Sequence, residues 1–421
     1  ARKERQDPVA ALQRNVRKDA GRVTLVPRVV EALQSQYKLH PHWTYQLHYD
    51  NLVALFKEDR GLGPMRSYST VRRYMQAHGM IRKARPKPKG KPGEVRAAIR
   101  RESREVRSYE TEYVGSLWHL DFHHASLPVL CQDGQCRHPL ALGILDDHSR
   151  LCCHLQWFLS ETAEDLVHGL SQAIQKRRLP RALMTDNGSA MMAAEFKEGL
   201  QRLGVMHEKT LPYSPHQNGK QEAFWGHLEG RLMEMLEQRS DLTLEFLNLA
   251  TQAWTEVEYN RSVHRELAVS PLTRFRRSPS VLRDSPSSQE LRNAFRCDVR
   301  RRQRQSDGTI SLAGKRFEVP ARFRHFTKVV VRYARWDLGR VDLIDPREDS
   351  ILAPLYLLDR VANADGHRAP VQLDTTSEPA AASKTPAELP PLLKRILAEY
   401  SATGMPPSYL PKNHTPKKGQ A

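Results

Sequence analysis

Long apolar runs are missing from this sequence: none reaches the roughly 18 residues a membrane-spanning helix needs, and the chain does not open on a secretory signal. We therefore expect no membrane partner and a cytoplasmic location. Cysteine is scarce as well. The five present are odd in number and share no repeated spacing, which argues against a disulfide framework and fits a reducing compartment. Cys131 and Cys136 flank an expected turn at Asp133-Gly134, but no second Cys/His pair stands near them to complete a zinc site.

Acid is sparse at both ends. Residues 1–108 carry 25 Lys/Arg against 10 Asp/Glu and residues 266–421 carry 27 against 17, whereas 109–265 reverse the balance with 14 against 21. The formal charge of +18 is thus concentrated in two flanks. Basic flanks suit a polyanion, because each phosphate neutralised by Lys or Arg releases condensed counterions. A merely soluble basic surface is the plainer alternative.

At 421 residues the chain has room for about three domains of roughly 100–200 residues each. Residues 1–81 read as short helices, with apolar residues at helical spacing over 8–35 and again over 45–56. In the last helix Ser67 or Ser69 serves as N-cap, Val71, Tyr74 and Met75 share a face, and Gly79 is the stop. Arg72 and Arg73 lie off that face, as in the recognition helix of a helix-turn-helix. A small bundle with solvated arginines would look the same. Residues 82–109 form a basic arm, in which proline alternating with Lys87, Lys89 and Lys91 excludes helix and central strand. An extended arm can track DNA, or can be a solvated linker.

Over 110–265 the pattern becomes three antiparallel strands (117–122, 139–145, 151–158), a helix (162–176), a strand (181–185), a helix (193–203) and a strand (205–209), the order of a mixed sheet flanked by helices. Asp121 and Asp186 each stand at the end of an apolar strand-like run, the first and the fourth, and Glu222 opens a helix after the loop from Pro212 to Gly219. With the first and fourth strands adjacent, the three acids could gather. Carboxylates so gathered repel unless a cation intervenes, and Mg²⁺ prefers carboxylate oxygens with positions left for water and phosphate. Two such ions, about 3.5–4 Å apart, support in-line displacement at phosphorus. Each aspartate alone could as well be a turn residue or a helix cap.

Four blocks, Trp118-His-Leu-Asp121, Leu145-Asp-Asp-His-Ser-Arg150, Thr185-Asp-Asn-Gly188 and Pro212-Tyr-Ser-Pro-His-Gln-Asn-Gly-Lys-Gln-Glu222, closely resemble the catalytic core of retroviral integrases and of the integrase-like transposases of bacterial insertion sequences. That family has a ribonuclease H-like fold and a D, D-35-E triad, and 35 residues separate Asp186 from Glu222. The resemblance implies Asp121, Asp186 and Glu222 as catalytic acids and metal ligands, with Mg²⁺ in two sites and Mn²⁺ as substitute, and Lys220 as a residue that holds a DNA end. One departure is Ala223-Phe224 where family members often carry Arg-Phe. Asp146 and Asp147 fall in a turn and are not expected as ligands.

Residues 266–305 are expected to be a basic helical linker, with Arg300, Arg301 and Arg302, beside Arg296 and Arg304, reaching phosphates. Short alternating runs over 306–362 predict a small β-barrel, loosely resembling that of Mu-like and insertion-sequence transposases. Residues 363–421 shift to Pro, Ala, Ser, Thr and Glu, a disordered tail by composition, within which Leu392, Leu393, Ile396, Leu397 and Tyr400 form an apolar stripe. That helix is either a docking peptide or packed on its own barrel.

The sum is a multidomain α/β protein: a ribonuclease H-like mixed-sheet core, an N-terminal helix-turn-helix region and a C-terminal small β-barrel. The resemblance implies a nucleoid-associated bacterial DNA transposase that binds double-stranded element ends, cleaves 3′ ends and transfers them into target DNA. It would act as a homo-oligomer on DNA, with a target-selecting ATPase recruited through the tail. Two rivals are a ribonuclease H-like structure-specific nuclease that does not join, and a transposase-derived DNA-binding regulator whose triad is idle.

Overall fold

The computed structural model describes residues 25–58, 64–83, 110–210, 219–359 and 389–403. The chain divides into two compact units, 1–87 with 390–395 and 88–389 with 396–421. The start of the helix expected over 8–35, the arm with Lys87, Lys89 and Lys91, the loop before Gly219 and most of the tail lie outside the described residues.

In the first unit α1 (Pro27–Leu39), α2 (Tyr45–Glu58) and α3 (Tyr68–Ala77) surround Leu25, Val29, Leu33, Leu52, Val71, Met75 and Met80. Pro27 stands in the first turn of α1, where its missing N–H costs nothing. Gly79, at φ +69°, follows the end of α3 in a left-handed conformation that glycine adopts without strain. Nine residues, 59–67, join α2 to α3. A helix-turn-helix uses a turn of about three to four, and residues 59–63 of this connection lie outside the described residues. In the same unit the Leu392 amide donates to Asn51 Oδ1 at 3.1 Å.

The second unit begins with a five-stranded sheet. β1 (Leu117–His124) lies at its centre, β2 (Val129–Leu130) and β3 (Cys136–Arg137) form a separate small hairpin, and β4 (Leu140–Asp146) and β5 (Cys152–Phe158) continue the sheet antiparallel to β1. After α4 (Ala163–Arg177), β6 (Ala182–Thr185) joins β1 in parallel, and after α5 (Ala194–Arg202), β7 (Met206–Lys209) joins β6, giving the order β5-β4-β1-β6-β7. The adjacency of first and fourth long strands on which the acid argument depends is therefore present. Trp118 and Leu120 of β1 pack with Leu142, Ile144 and Phe158 against Leu166, Leu170 and Ile174 of α4 and Phe196 of α5.

Two further helices cover the opposite side. α6 (Gly219–Leu228) runs on through a widened π turn to Leu236, and α7 (Leu244–Ala253) through another to Tyr259. All seven residues of β5 are buried although it is an edge strand. Asn248 accepts from the Trp157 amide at 2.8 Å and donates to its carbonyl at 3.2 Å. Asn260 does the same for Cys152, at 2.9 and 3.1 Å. Two side chains thus occupy hydrogen-bonding positions that another strand would otherwise take.

After α8 (Pro271–Arg277) and α9 (Ser288–Ala294) comes a nearly closed six-stranded antiparallel sheet of β8 (Cys297–Arg302), β9 (Thr309–Leu312), β10 (Lys315–Glu318), β11 (Lys328–Ala334), β12 (Asp337–Asp345) and β13 (Ser350–Leu357), in the order β8-β11-β12-β13-β10-β9. The Arg304 amide bonds Thr309 O at 2.8 Å, tying the two outer strands. Arg300, Arg301 and Arg302, expected in a helical linker, lie on β8 instead. Cys297 and Val299 belong to the sheet's core, a two-residue period that the dense charge obscured. Arg296, expected at phosphate, is buried and holds Asp337 at 2.8 Å. In the final helix, α10 (Pro391–Ala402), Leu392, Leu393, Ile396 and Tyr400 are buried, and within the second unit Gln252 donates to the Tyr400 hydroxyl.

Candidate active site

Alternate side chains of a strand share a face, so His119, Asp121 and His123 point away from the Trp118 and Leu120 side of β1. α6 and its continuation meet that face with residues four apart. Gln221 Nε2 donates to the Gly143 carbonyl at 3.0 Å, Trp225 Nε1 donates to Asp121 Oδ2 at 3.2 Å, and Glu229 Oε1 lies 3.0 Å from His123 Nε2. The His123 ring also stacks on Trp225, with centroids 4.9 Å apart. Gly143 is the register partner of Asp121 on β4. A Cβ there would fall 2.4 Å from Trp225 Cη2, so the helix can lie this close only over glycine.

Asp121 is half-buried, and burial pushes its carboxyl up to about 6; the indole N–H opposes that rise and the nearby charge of Asp186 adds to it. Asp186 follows β6 directly, is exposed, and accepts the Gly188 amide on Oδ1 at 2.9 Å. Glu161, which the sequence pattern did not single out, belongs to the same neighbourhood. A Cβ on Gly188 would lie 2.9 Å from Glu161 Oε1 and 3.1 Å from Asp186 Oδ1. Burial first, and then Asp186, raise the Glu161 carboxyl above its usual range. Its position just before Thr162, the N-cap of α4, was the available signal, and it reads more simply as a helix start.

Glu222 sits in the first turn of α6, exposed, and adjacent in sequence to the docked Gln221. Among the described residues no three His, Cys, Asp or Glu side chains are grouped as a metal ion would need. The structure thus brings Asp121 near Asp186 and lays the Glu222 helix on the Asp121 strand, without closing the three acids into a cluster. The donor chemistry of the pair fits a hard divalent cation, since a cation would relieve the repulsion that opposes ionisation of Asp121.

Lys220, expected at a DNA end, is ion-paired with Asp147. His119 Nε2 lies 2.7 Å from the same Asp147 Oδ1, and the Thr111 amide donates to Oδ2 at 2.7 Å. Burial alone would raise the Asp147 carboxyl, yet the hydrogen bonds from His119, Lys220 and Thr111 hold it well below the usual carboxylate range. Asp146 is buried too, accepting from Ser149 N at 2.9 Å, Ser149 Oγ at 2.6 Å and Gly115 N at 2.8 Å. The two acids expected in a turn are therefore interior supports of the site. In the helical unit, Arg72 and Arg73 are exposed on α3. On the six-stranded sheet, Arg300 and Arg302 are exposed and Arg301 is half-buried.

Residues 112–215 match the family described as Integrase core domain. Among curated proteins, the Gag-Pro-Pol polyproteins of human T-cell leukemia virus 3, strains Pyl43 and 2026ND, are each 32% identical over 84 residues, 20% of this chain. The chain spans 6% of the length of these relatives. Similar solved structures include the simian T-cell lymphotropic virus intasome in complex with PP2A regulatory subunit B56 gamma, at 17% identity and a TM-score of 0.36, covering 57% of this chain and 78% of that one. Another is the HTLV-2 integrase catalytic core domain in complex with magnesium, at 19% identity and a TM-score of 0.31, covering 40% and 98%. The segment similar to an integrase core domain holds Asp121 and Asp186 and ends before Glu222.

Proposed function

We propose that the chain is a polynucleotidyl transferase of the DDE type, a transposase that cleaves the 3′ ends of a mobile element and joins them to target DNA. The observation that carries this reading is the docking of the Glu222 helix along the strand of Asp121, with Asp186 near enough for its charge to raise the Asp121 carboxyl. Asp121, Asp186 and Glu222 are the residues that would hold Mg²⁺ or Mn²⁺, as one ion or two. A divalent ion, when bound, supplies positive charge at the phosphate and eases proton loss from an attacking oxygen.

The chain's own residues set up the rest. The Trp225 indole orients the Asp121 carboxylate and holds it ready to ionise near neutral pH. Glu222, exposed at the start of α6, is accessible to a DNA end. Arg72 and Arg73 of α3, the arm bearing Lys87, Lys89 and Lys91, and Arg300, Arg301 and Arg302 of β8 are the proposed double-stranded DNA contacts, through phosphates. Lys220 would join them, its ammonium having further protons for a phosphate beside the one it gives Asp147. Cutting and joining two ends calls for a homo-oligomer on DNA. A bacterial insertion sequence and the nucleoid remain the proposed setting. A target-selecting ATPase recruited through the tail has no support beyond the apolar stripe of α10.

The test is strand transfer of candidate element ends with Mg²⁺, Mn²⁺ or EDTA, comparing wild type with Glu222→Gln. We expect metal-dependent joining that the substitution abolishes; activity in EDTA, or a fully active variant, refutes the mechanism. Cleavage of a branched or hybrid substrate with no joining would instead identify the nuclease. The regulator without chemistry is a rival reading, against which the presence of Asp121, Asp186 and Glu222 argues. DNA transactions unchanged by Asp186→Asn would establish it.

A further inference from the structure

The Asp147 carboxylate joins three separate parts of the second unit. Its Oδ1 meets His119 of β1, two residues before Asp121, and Lys220 of α6, two residues before Glu222; its Oδ2 accepts the amide of Thr111, close to where residues 88–109 lead into the sheet. Around it the turn from Asp146 to Arg150 is folded inward, with every one of its five residues less than a tenth exposed. The same turn holds the incoming segment a second time. His148 Nδ1 lies 2.8 Å from Thr111 O, and Arg150 Nη2 lies 3.1 Å from Glu110 Oε2, a carboxyl that also pairs with Arg274. Arg150 keeps this position at φ +61°, a left-handed conformation that is costly for a residue with a side chain. Its carbonyl accepts from the Tyr259 hydroxyl at 3.1 Å.

We propose that Asp147 is a positioning residue, which fixes the helix of Glu222 against the strand of Asp121 and makes that fixing depend on the docked segment Glu110-Thr111. The inference rests on the proposed function for its consequence, though not for its geometry. Without the Asp147–Lys220 pair, the first turn of α6 loses its ionic anchor. The hydrogen bonds of Gln221 and Trp225 to Gly143 and Asp121, with the buried Phe224 and Leu228 further along, then hold the helix without any ionic contact in its first turn. Because a catalytic group displaced by about 1 Å can cost about 10²-fold in rate, a loosened start of α6 reaches Glu222 although Asp147 touches no reacting atom.

The experiment uses the full chain and two readouts. Amide exchange over residues 219–228 reports the helix without turnover, and single-turnover joining of a pre-cleaved end is compared with end-binding affinity. Asp147→Asn and Lys220→Gln should each speed exchange over 219–228 at least tenfold, with no comparable change over 163–177, and the double substitution should add little to either. Joining should fall on the order of 10²-fold in Asp147→Asn, while end affinity stays within about threefold, the span of ordinary context effects on a single contact. Lys220→Arg should restore most of what Lys220→Gln loses. Asn248→Ala, at the far edge of the sheet, serves as a destabilised control. Exchange over 219–228 unchanged in both single variants, additive effects in the double, or a uniform loss matching Asn248→Ala would overturn the proposal. Should wild type fail to join ends with any metal, the functional reading falls while the exchange measurement still decides the role of Asp147.

Discussion

The Trp225 indole donates its N–H to the Asp121 carboxylate across 3.2 Å, and the bond opposes the burial that drives that carboxyl up to about 6. Trp225→Phe keeps most of the ring and removes the donor. The Asp121 carboxyl should then rise further, and the acidic limb of metal-dependent joining should move to higher pH, with more activity lost at pH 6 than at pH 8. A pH–rate profile checks this; a limb that stays in place means that the indole does not tune the acid.

Asp121 should make the metal-free protein less stable as pH rises. Its folded value, about 6, lies above the ordinary 3.8, so its favourable contribution is complete below the ordinary value and disappears as pH rises through 6. Asp121→Asn cannot ionise. It should therefore raise the melting temperature at pH 8 without metal, by a free energy of up to about 3 kcal/mol, and should lose that advantage near pH 4. Equal melting of the two proteins at pH 8 would contradict the shift.

At Gly143 one methyl group is enough. Its Cβ would stand 2.4 Å from Trp225 and 3.0 Å from Gln221, so Gly143→Ala must push α6 off β1. The expected cost is about 1–3 kcal/mol, as for overpacking, with a larger fractional loss of joining than of DNA binding. Denaturant melts beside the joining assay separate the two effects.

Asn248 and Asn260 each serve both the N–H and the C=O of a β5 residue. Replacing either with alanine leaves buried backbone groups unpaired and should cost about 1–3 kcal/mol. The double variant should also associate more readily at high concentration, because an unsatisfied strand edge is a template for pairing. Light scattering that shows no concentration dependence in the double variant would argue against the sealing role.

Much of the core was legible because its strands and helices keep distinct periods. Trp118 and Leu120 alternate with His119 and Asp121, while Leu166, Leu170 and Ile174 recur at helical spacing. The arginines of β8 were misread, since Arg300 to Arg302 mask the inward Cys297 and Val299. Gln221, Trp225 and Glu229 were missed for a related reason: the apolar face of the same helix, from Phe224 to Leu236, dominated its pattern, and the polar stripe gains meaning only when β1 lies against it. Asp147 was set aside as a turn residue. Solvation of a turn cannot be read from residue types, and here the turn is interior. The Asp186–Glu222 spacing counts residues along the chain, which says nothing about how closely side chains converge.

Two turns in the second unit differ in how much length they could absorb. Around Gly134, residues 132–137 are all exposed, and a few added residues would project into solvent at little cost. Between β4 and β5 the chain turns inward, so even one extra residue at Asp146 to Arg150 would displace supports of β1 and α6 together. Length is therefore fixed at the turn that braces the candidate site, and a label or tag placed at Gln132–Gln135 would leave that site's geometry intact.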